Sequence, residues 1–168
     1  RQMFGPGALE VMTLSVTYAF CFLADLCLST IPTATIIANR RTGQYVMVAQ
    51  GSVKPGCRLA VAVSTDPAGP FEVQGCLNTS QPLFSDYSLF ADPTDDSAAF
   101  VIYNSPSSPG QFIEKLTPDF TAVIKNTSKT PSSTHIAQDQ CQKGGCEAPL
   151  LFVRNGIYYA LFGHNCWW

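Results

Sequence analysis

The chain has 168 residues, 46% of them hydrophobic and only 13% charged, with a formal net charge of −2. High hydrophobicity with low charge excludes a disordered chain, and the length suits one domain with a real core. No basic face is available to neutralise phosphates, so nucleic acid is not an expected partner.

The first thirty or so residues differ from the rest. Residues 11–24 form an apolar run flanked by Glu10 and Asp25. The run is too short, and too closely bracketed by acids, to predict a stable membrane span. Three readings stay open for it: a signal-like segment, a helix, or sequence foreign to the domain, with a slight preference for the last. Residues 1–31 are therefore set apart from an expected domain over residues 32–168.

From Pro32 onward the pattern is that of strands. Residues 35–38 and 45–48 are apolar runs joined by Asn39-Arg40-Arg41-Thr42-Gly43, which reads as strand, turn, strand. Residues 58–64 and 71–74 give two more strands around the breaker-rich Thr65-Asp66-Pro67-Ala68-Gly69-Pro70. The hairpin then recurs. Residues 88–91 and 99–103 flank an acidic turn, and residues 150–153 and 158–162 flank Arg154-Asn155-Gly156. Outer strands of the second unit are expected at 111–116 and 120–124, around Thr117-Pro118-Asp119. The three units lie roughly 50 to 60 residues apart, and a repeat of about 40 to 50 residues per four-stranded blade is the mark of a β-propeller. The expected fold is all-β: a partial propeller of about two and a half blades. A β-sandwich with similar hairpins is the alternative.

The seven cysteines are Cys21, Cys27, Cys57, Cys76, Cys141, Cys146 and Cys166, and two glycosylation sequons begin at Asn78 and Asn126. Together they favour an oxidising, secretory route, hence an extracellular glycoprotein with disulfides. A cytosolic protein with buried thiols is the competing reading. A Cys57–Cys76 bridge would cross-link the first unit, and a Cys141–Cys146 bridge would fix the loop before Glu147. No set of ligands at zinc spacing is evident, so neither a metal nor a cofactor is expected. His135 and His164 lack a nucleophile motif and read as surface or packing residues. Trp167 and Trp168 read equally as a sugar-stacking platform or as the exposed end of a core strand.

Acidic residues are few, so their positions matter. Asp66, Asp92, Asp95, Asp96 and Asp119 sit where solvated turn acids belong. Asp86 and Glu147 instead directly precede the first apolar strand of a unit. In a propeller those strands line the central channel, so two such carboxylates can face one pocket. Glycosidic bond cleavage needs such a pair: one protonated to give its proton to the leaving oxygen, another to activate water, roughly 6.5–9.5 Å apart in inverting enzymes. The residues alone leave open that both acids merely cap turns.

The run Glu147-Ala148-Pro149-Leu150-Leu151-Phe152, with Arg154-Asn155-Gly156-Ile157-Tyr158-Tyr159 after it, resembles glycoside hydrolase family 43, the five-bladed propellers. So do Asp86-Tyr87-Ser88-Leu89-Phe90 with Asp92, Thr42-Gly43-Gln44-Tyr45-Val46-Met47, and Val61-Ala62-Val63-Ser64 with Gly69-Pro70-Phe71. The match spans about residues 32–163, and its detail is most similar to fungal-type exo-β-1,3-galactanases. The resemblance implies an inverting glycosidase acting on galactan, arabinan or xylan. Glu147 would be its general acid and Asp86 the residue that orients the acid and tunes its pKa. Two departures stand out: Ser85 replaces the family's usual arginine, and the usual aspartate base has no counterpart. Polysaccharide is the expected substrate, with self-association through exposed blade edges. The alternatives are a non-catalytic carbohydrate-binding or vestigial propeller fragment, and a secreted β-rich interaction protein without sugar specificity.

Overall fold

A computed structural model describes residues 12–14, 33–51, 56–81, 86–105, 110–125, 133–138 and 145–165. All regular structure among them is β, in three antiparallel sheets. The first has the order β1 (Met12–Leu14), β2 (Ala34–Asn39), β3 (Gln44–Gln50), β4 (Leu59–Ser64), β5 (Glu72–Cys76). The second runs β6 (Tyr87–Ala91), β7 (Ala99–Ser105), β8 (Gly110–Lys115), β9 (Thr134–Gln138). The third is the hairpin of β10 (Gly145–Arg154) and β11 (Ile157–Asn165). Most of residues 1–31 lies outside the described residues. Residues 12–14 pair with β2, Met12 opposite Ile36.

Local chemistry accounts for the hairpins. Asn155 and Gly156 both have positive φ, 53° and 74°, and Arg154 pairs directly with Ile157. That is the two-residue turn whose twist matches the strands, and Asn-Gly is its favoured sequence. In the β2–β3 turn, Asn39 Oδ1 accepts from the backbone N–H of Arg41 and Thr42, both at 3.1 Å. Cys57 and Cys76 form the expected disulfide, tying the approach to β4 to the end of β5.

Side-chain alternation stacks the sheets. Ile37, Val46, Val48, Leu59 and Val61 of the first sheet share one core with Leu89, Val101, Tyr103 and Phe112 of the second. The opposite face of the second sheet carries Phe90 and Ile102, with Phe100 and Ile113, and packs on Leu151 and Val153 of β10. The second sheet is thus buried on both faces, and each large apolar side chain fully enclosed there contributes about 1.5–3 kcal/mol. Polar bonds tie the first two sheets at their rims. Tyr87 Oη donates to the carbonyl of Val48 at 2.6 Å, and Asn39 Nδ2 to that of Pro118 at 3.0 Å.

One expected strand is absent. Residues 120–124 make only an isolated bridge, Val123 with Leu116. Phe120 has a positive φ of 65°. The segment turns back on itself, with Thr117 N–H bonded to the carbonyl of Ala122 and Phe120 N–H to that of Thr117. Phe120 and Val123 point into the core between the first two sheets, so their apolar character plugs that core rather than building an edge strand. The fourth strand is β9, residues 134–138, where His135 stacks on Phe112 at a centroid distance of 4.9 Å.

Candidate active site

Asp86 and Glu147 come from segments far apart in sequence, and the stacking of β10 on β6 brings those segments together. Asp86 immediately precedes β6. Its N–H donates to Asn104 Oδ1 at 3.1 Å, and its carbonyl accepts from Asn104 N–H at 3.3 Å. Asn104 is itself buried, so the backbone of Asp86 is anchored on β7. Its carboxylate reaches the other way: Oδ2 accepts from the N–H of Ala148 at 2.8 Å. Asp86 therefore holds the peptide that follows Glu147, and both acidic residues are half-buried.

The backbone at that point is irregular. Glu147 pairs with Gly163 and Leu150 with Leu161, so β10 carries one residue more than β11 across the interval. The extra residue makes a bulge, a device that turns a side chain out of the regular alternation and recurs beside active sites. Ala148 has φ of +49°, left-handed for a residue with a Cβ, which costs on the order of 1–2 kcal/mol. Such backbone strain gathers at functional sites. Beside the bulge, Gly163 pairs with Glu147, and an added Cβ there would lie 3.5 Å from the Glu147 carbonyl.

The far end of the same interface holds a second aspartate. Asp92 directly follows β6 and is only 7% exposed, not solvated as the sequence led us to expect. Its Oδ1 accepts from Thr94 N–H at 2.8 Å and Thr94 Oγ1 at 2.7 Å, and its Oδ2 accepts from the hydroxyl of Tyr158. Burial opposes ionisation of Asp92, but the bonds from Tyr158 and Thr94 outweigh it and hold its pKa below the ordinary carboxylate value. Its bond to Asp92, chiefly, raises the pKa of Tyr158. The sequence hid this pair because an Asp before Pro-Thr reads as a turn, and nothing local shows that Tyr158 folds over it. Asp66, Asp95 and Asp119 do behave as turn acids, accepting from backbone N–H groups two residues ahead.

A third carboxylate escaped the sequence reading. Glu114, in β8, is 1% exposed. Its Oε1 accepts from Ser80 N–H at 2.8 Å and from the Tyr103 hydroxyl, and its Oε2 from Ser80 Oγ at 2.8 Å. Burial and the neighbouring carboxylate push the Tyr103 phenol upward. This cluster ties the second sheet to the segment before it, through Ser80, and reads as structural. Among the described residues no group of three His, Cys, Asp or Glu side chains gathers to hold a metal, and no helix is long and apolar enough to cross a membrane. Asn78 of the first sequon is exposed. The second sequon, Cys141, Cys166, Trp167 and Trp168 lie outside the described residues.

No protein-family model matches the sequence, and no curated protein sequence matches it. Solved structures do. A family 43 β-1,3-galactosidase superposes with a TM-score of 0.62 and 23% identity, over 80% of this chain and 27% of that one. The exo-β-1,3-galactanase of Phanerochaete chrysosporium, solved with β-1,3-galactotriose, gives 0.60 and 22%, over 81% of this chain and 30% of that one. An α-L-arabinofuranosidase of Clostridium thermocellum gives 0.55 and 22%, over 77% and 41%. This is the fold of the family 43 glycoside hydrolases. It is a propeller fold, here in part, since the chain spans less than a third of the first two structures. At these identities the family 43 likeness speaks for the fold.

Proposed function

We propose that this chain carries part of the active site of a secreted glycoside hydrolase that cleaves galactan, arabinan or xylan with inversion. Glu147 is the general acid, giving its proton to the leaving glycosidic oxygen. Asp86 is its orienting and modulating partner. The observation that carries the reading is the 2.8 Å bond from Ala148 N–H to Asp86 Oδ2. It joins two segments whose carboxylates glycosidase chemistry requires to act together, at a bulge that re-aims Glu147. Asp86 draws the peptide of Ala148 toward itself and so sets where the Glu147 side chain departs. Hydrolysis also needs an activated water, and the reading assigns no base. The fold of the structural neighbours supports a polysaccharide or oligosaccharide ligand. Self-association would rest on the exposed Leu150, Ile157 and Leu161 of the hairpin.

The absence of an assigned base among the described residues favours a second reading, a propeller domain that binds sugar without cleaving it. Sugar release from galactans, arabinans and xylans, measured for the chain and for Glu147→Gln, separates the two. The first reading expects release that falls at least about 100-fold in the variant, as loss of a general acid does. Release unchanged in Glu147→Gln removes Glu147 from the chemistry. Glycan binding with no product in either protein establishes the second reading instead.

A further inference from the structure

Among the described residues the β10–β11 hairpin presents Leu150, Ile157 and Leu161 on its outward face and meets the second sheet with the other. What holds it to the second sheet is Leu151 and Val153 against Phe90 and Ile102. Apolar contact is not directional, so this packing alone permits the hairpin to slide along β6. A shift of about 1 Å at an acid catalyst is costly to rate.

Two directional bonds stand at the two ends of β6. Asp86, just before the strand, takes the Ala148 N–H at the start of the hairpin. Asp92, just after it, takes the hydroxyl of Tyr158, which pairs with Val153 near the hairpin's turn. The Phe90 ring meets Tyr158 edge-on between them, at 6.2 Å and 85°. The hairpin is therefore pinned to both ends of β6, through β10 at one and β11 at the other, at points roughly 20 Å apart along β6.

We propose that the Asp92–Tyr158 bond is a remote clamp that sets the hairpin's register on β6, and through it the seating of Ala148 on Asp86 and the aim of Glu147. Asp92 and Tyr158 are positioning residues: they act through Ala148 and touch no substrate. The role in catalysis rests on the reading of Glu147 as the acid, while the clamp itself is a property of the fold.

Amide exchange and chemical shift, read by NMR on the whole chain, test the clamp directly. Tyr158→Phe keeps the ring on Phe90 and removes only the hydroxyl. Loss of a hydrogen bond to a charged acceptor is expected to speed exchange of the Ala148 amide about tenfold and to move its shift. Amides at mid-hairpin, Leu151 and Ala160, should hold theirs. An unchanged Ala148 amide overturns the proposal. So does uniform acceleration along the hairpin, which signifies a merely structural bond. Sugar release by the same variant is a separate readout, expected to fall in kcat with KM unchanged. If Glu147→Gln leaves release intact while the Ala148 amide still responds to Tyr158→Phe, the functional reading fails and the clamp stands.

Discussion

Replacing Tyr103 with Phe isolates one oxygen atom in the middle of the stack. Tyr103 is fully buried in β7, and its ring packs on Phe112 at 5.9 Å, a contact Phe preserves. The hydroxyl donates to Glu114 Oε1 and accepts from Gln81 N–H at 3.2 Å. Gln81 is half-buried, so water replaces that acceptor at little cost. Glu114 keeps both bonds from Ser80. The loss is therefore one hydrogen bond to a carboxylate, about 1.5–3 kcal/mol. For a chain of this length that lowers Tm by about 2–4 °C per kcal/mol, or about 3–12 °C in all. Urea unfolding followed by circular dichroism measures it, with the m-value expected to be unchanged because no surface is gained or lost. Combining Tyr103→Phe with Glu114→Gln should give less than the sum of the two effects, by about 1 kcal/mol or more, since both remove the same bond. Strict additivity, or a loss below about 0.5 kcal/mol for Tyr103→Phe alone, would refute the account of Glu114 as a carboxylate held by Tyr103.

Two further expectations follow from bonds already described. Replacing Cys57 and Cys76 together by Ser opens a bridge between residues 19 apart, and chemical unfolding should show a loss of about 3 kcal/mol, with dithiothreitol reproducing it in the natural chain. The depressed pKa of Asp92 means that the unfolded chain binds its proton more readily than the folded one. Its contribution to stability is thus complete above the unfolded pKa of about 4 and lost as pH falls through the lower folded value. Asp92→Asn should flatten that acid limb in unfolding curves taken below about pH 4, and an unaltered limb would count against the bond from Tyr158.

The stacking order and most strands are legible in the sequence because alternation and breakers coincide there. Val46 and Val48 on one face of β3, and Asn155-Gly156 at the β10–β11 turn, announce their structure locally. The failures share a cause. Phe120 and Val123 have strand-like character, yet they fill a gap between sheets that only the assembled core reveals. Asp92 sits in a turn by every local sign, and its burial depends on Tyr158, 66 residues away. Glu114 is hidden for the same reason: an acid within an alternating strand reads as solvent-facing until Ser80 and Tyr103 close over it. Asp86 and Glu147 stand out in the sequence as candidates, but the contact between their segments does not. Nothing in the sequence foretells that Asp86 would grip the Ala148 peptide.

The strand order has a bearing on how such a protein folds and varies. Within the described residues every strand pairs only with its neighbours in sequence, and the sheets meet through side chains alone, without a backbone ladder between them. Each sheet can close its hydrogen bonds from nearby chain, at small loop-closure cost, before docking on the next. Such a stack behaves as a row of semi-independent units whose stability is a sum of unit and interface contributions. Adding or removing a unit exposes apolar surface and breaks a few side-chain bonds, such as Tyr87 to Val48 or Asp86 to Ala148, but no strand is torn from a shared sheet. Modular growth and loss, one sheet at a time, is the kind of change this architecture tolerates.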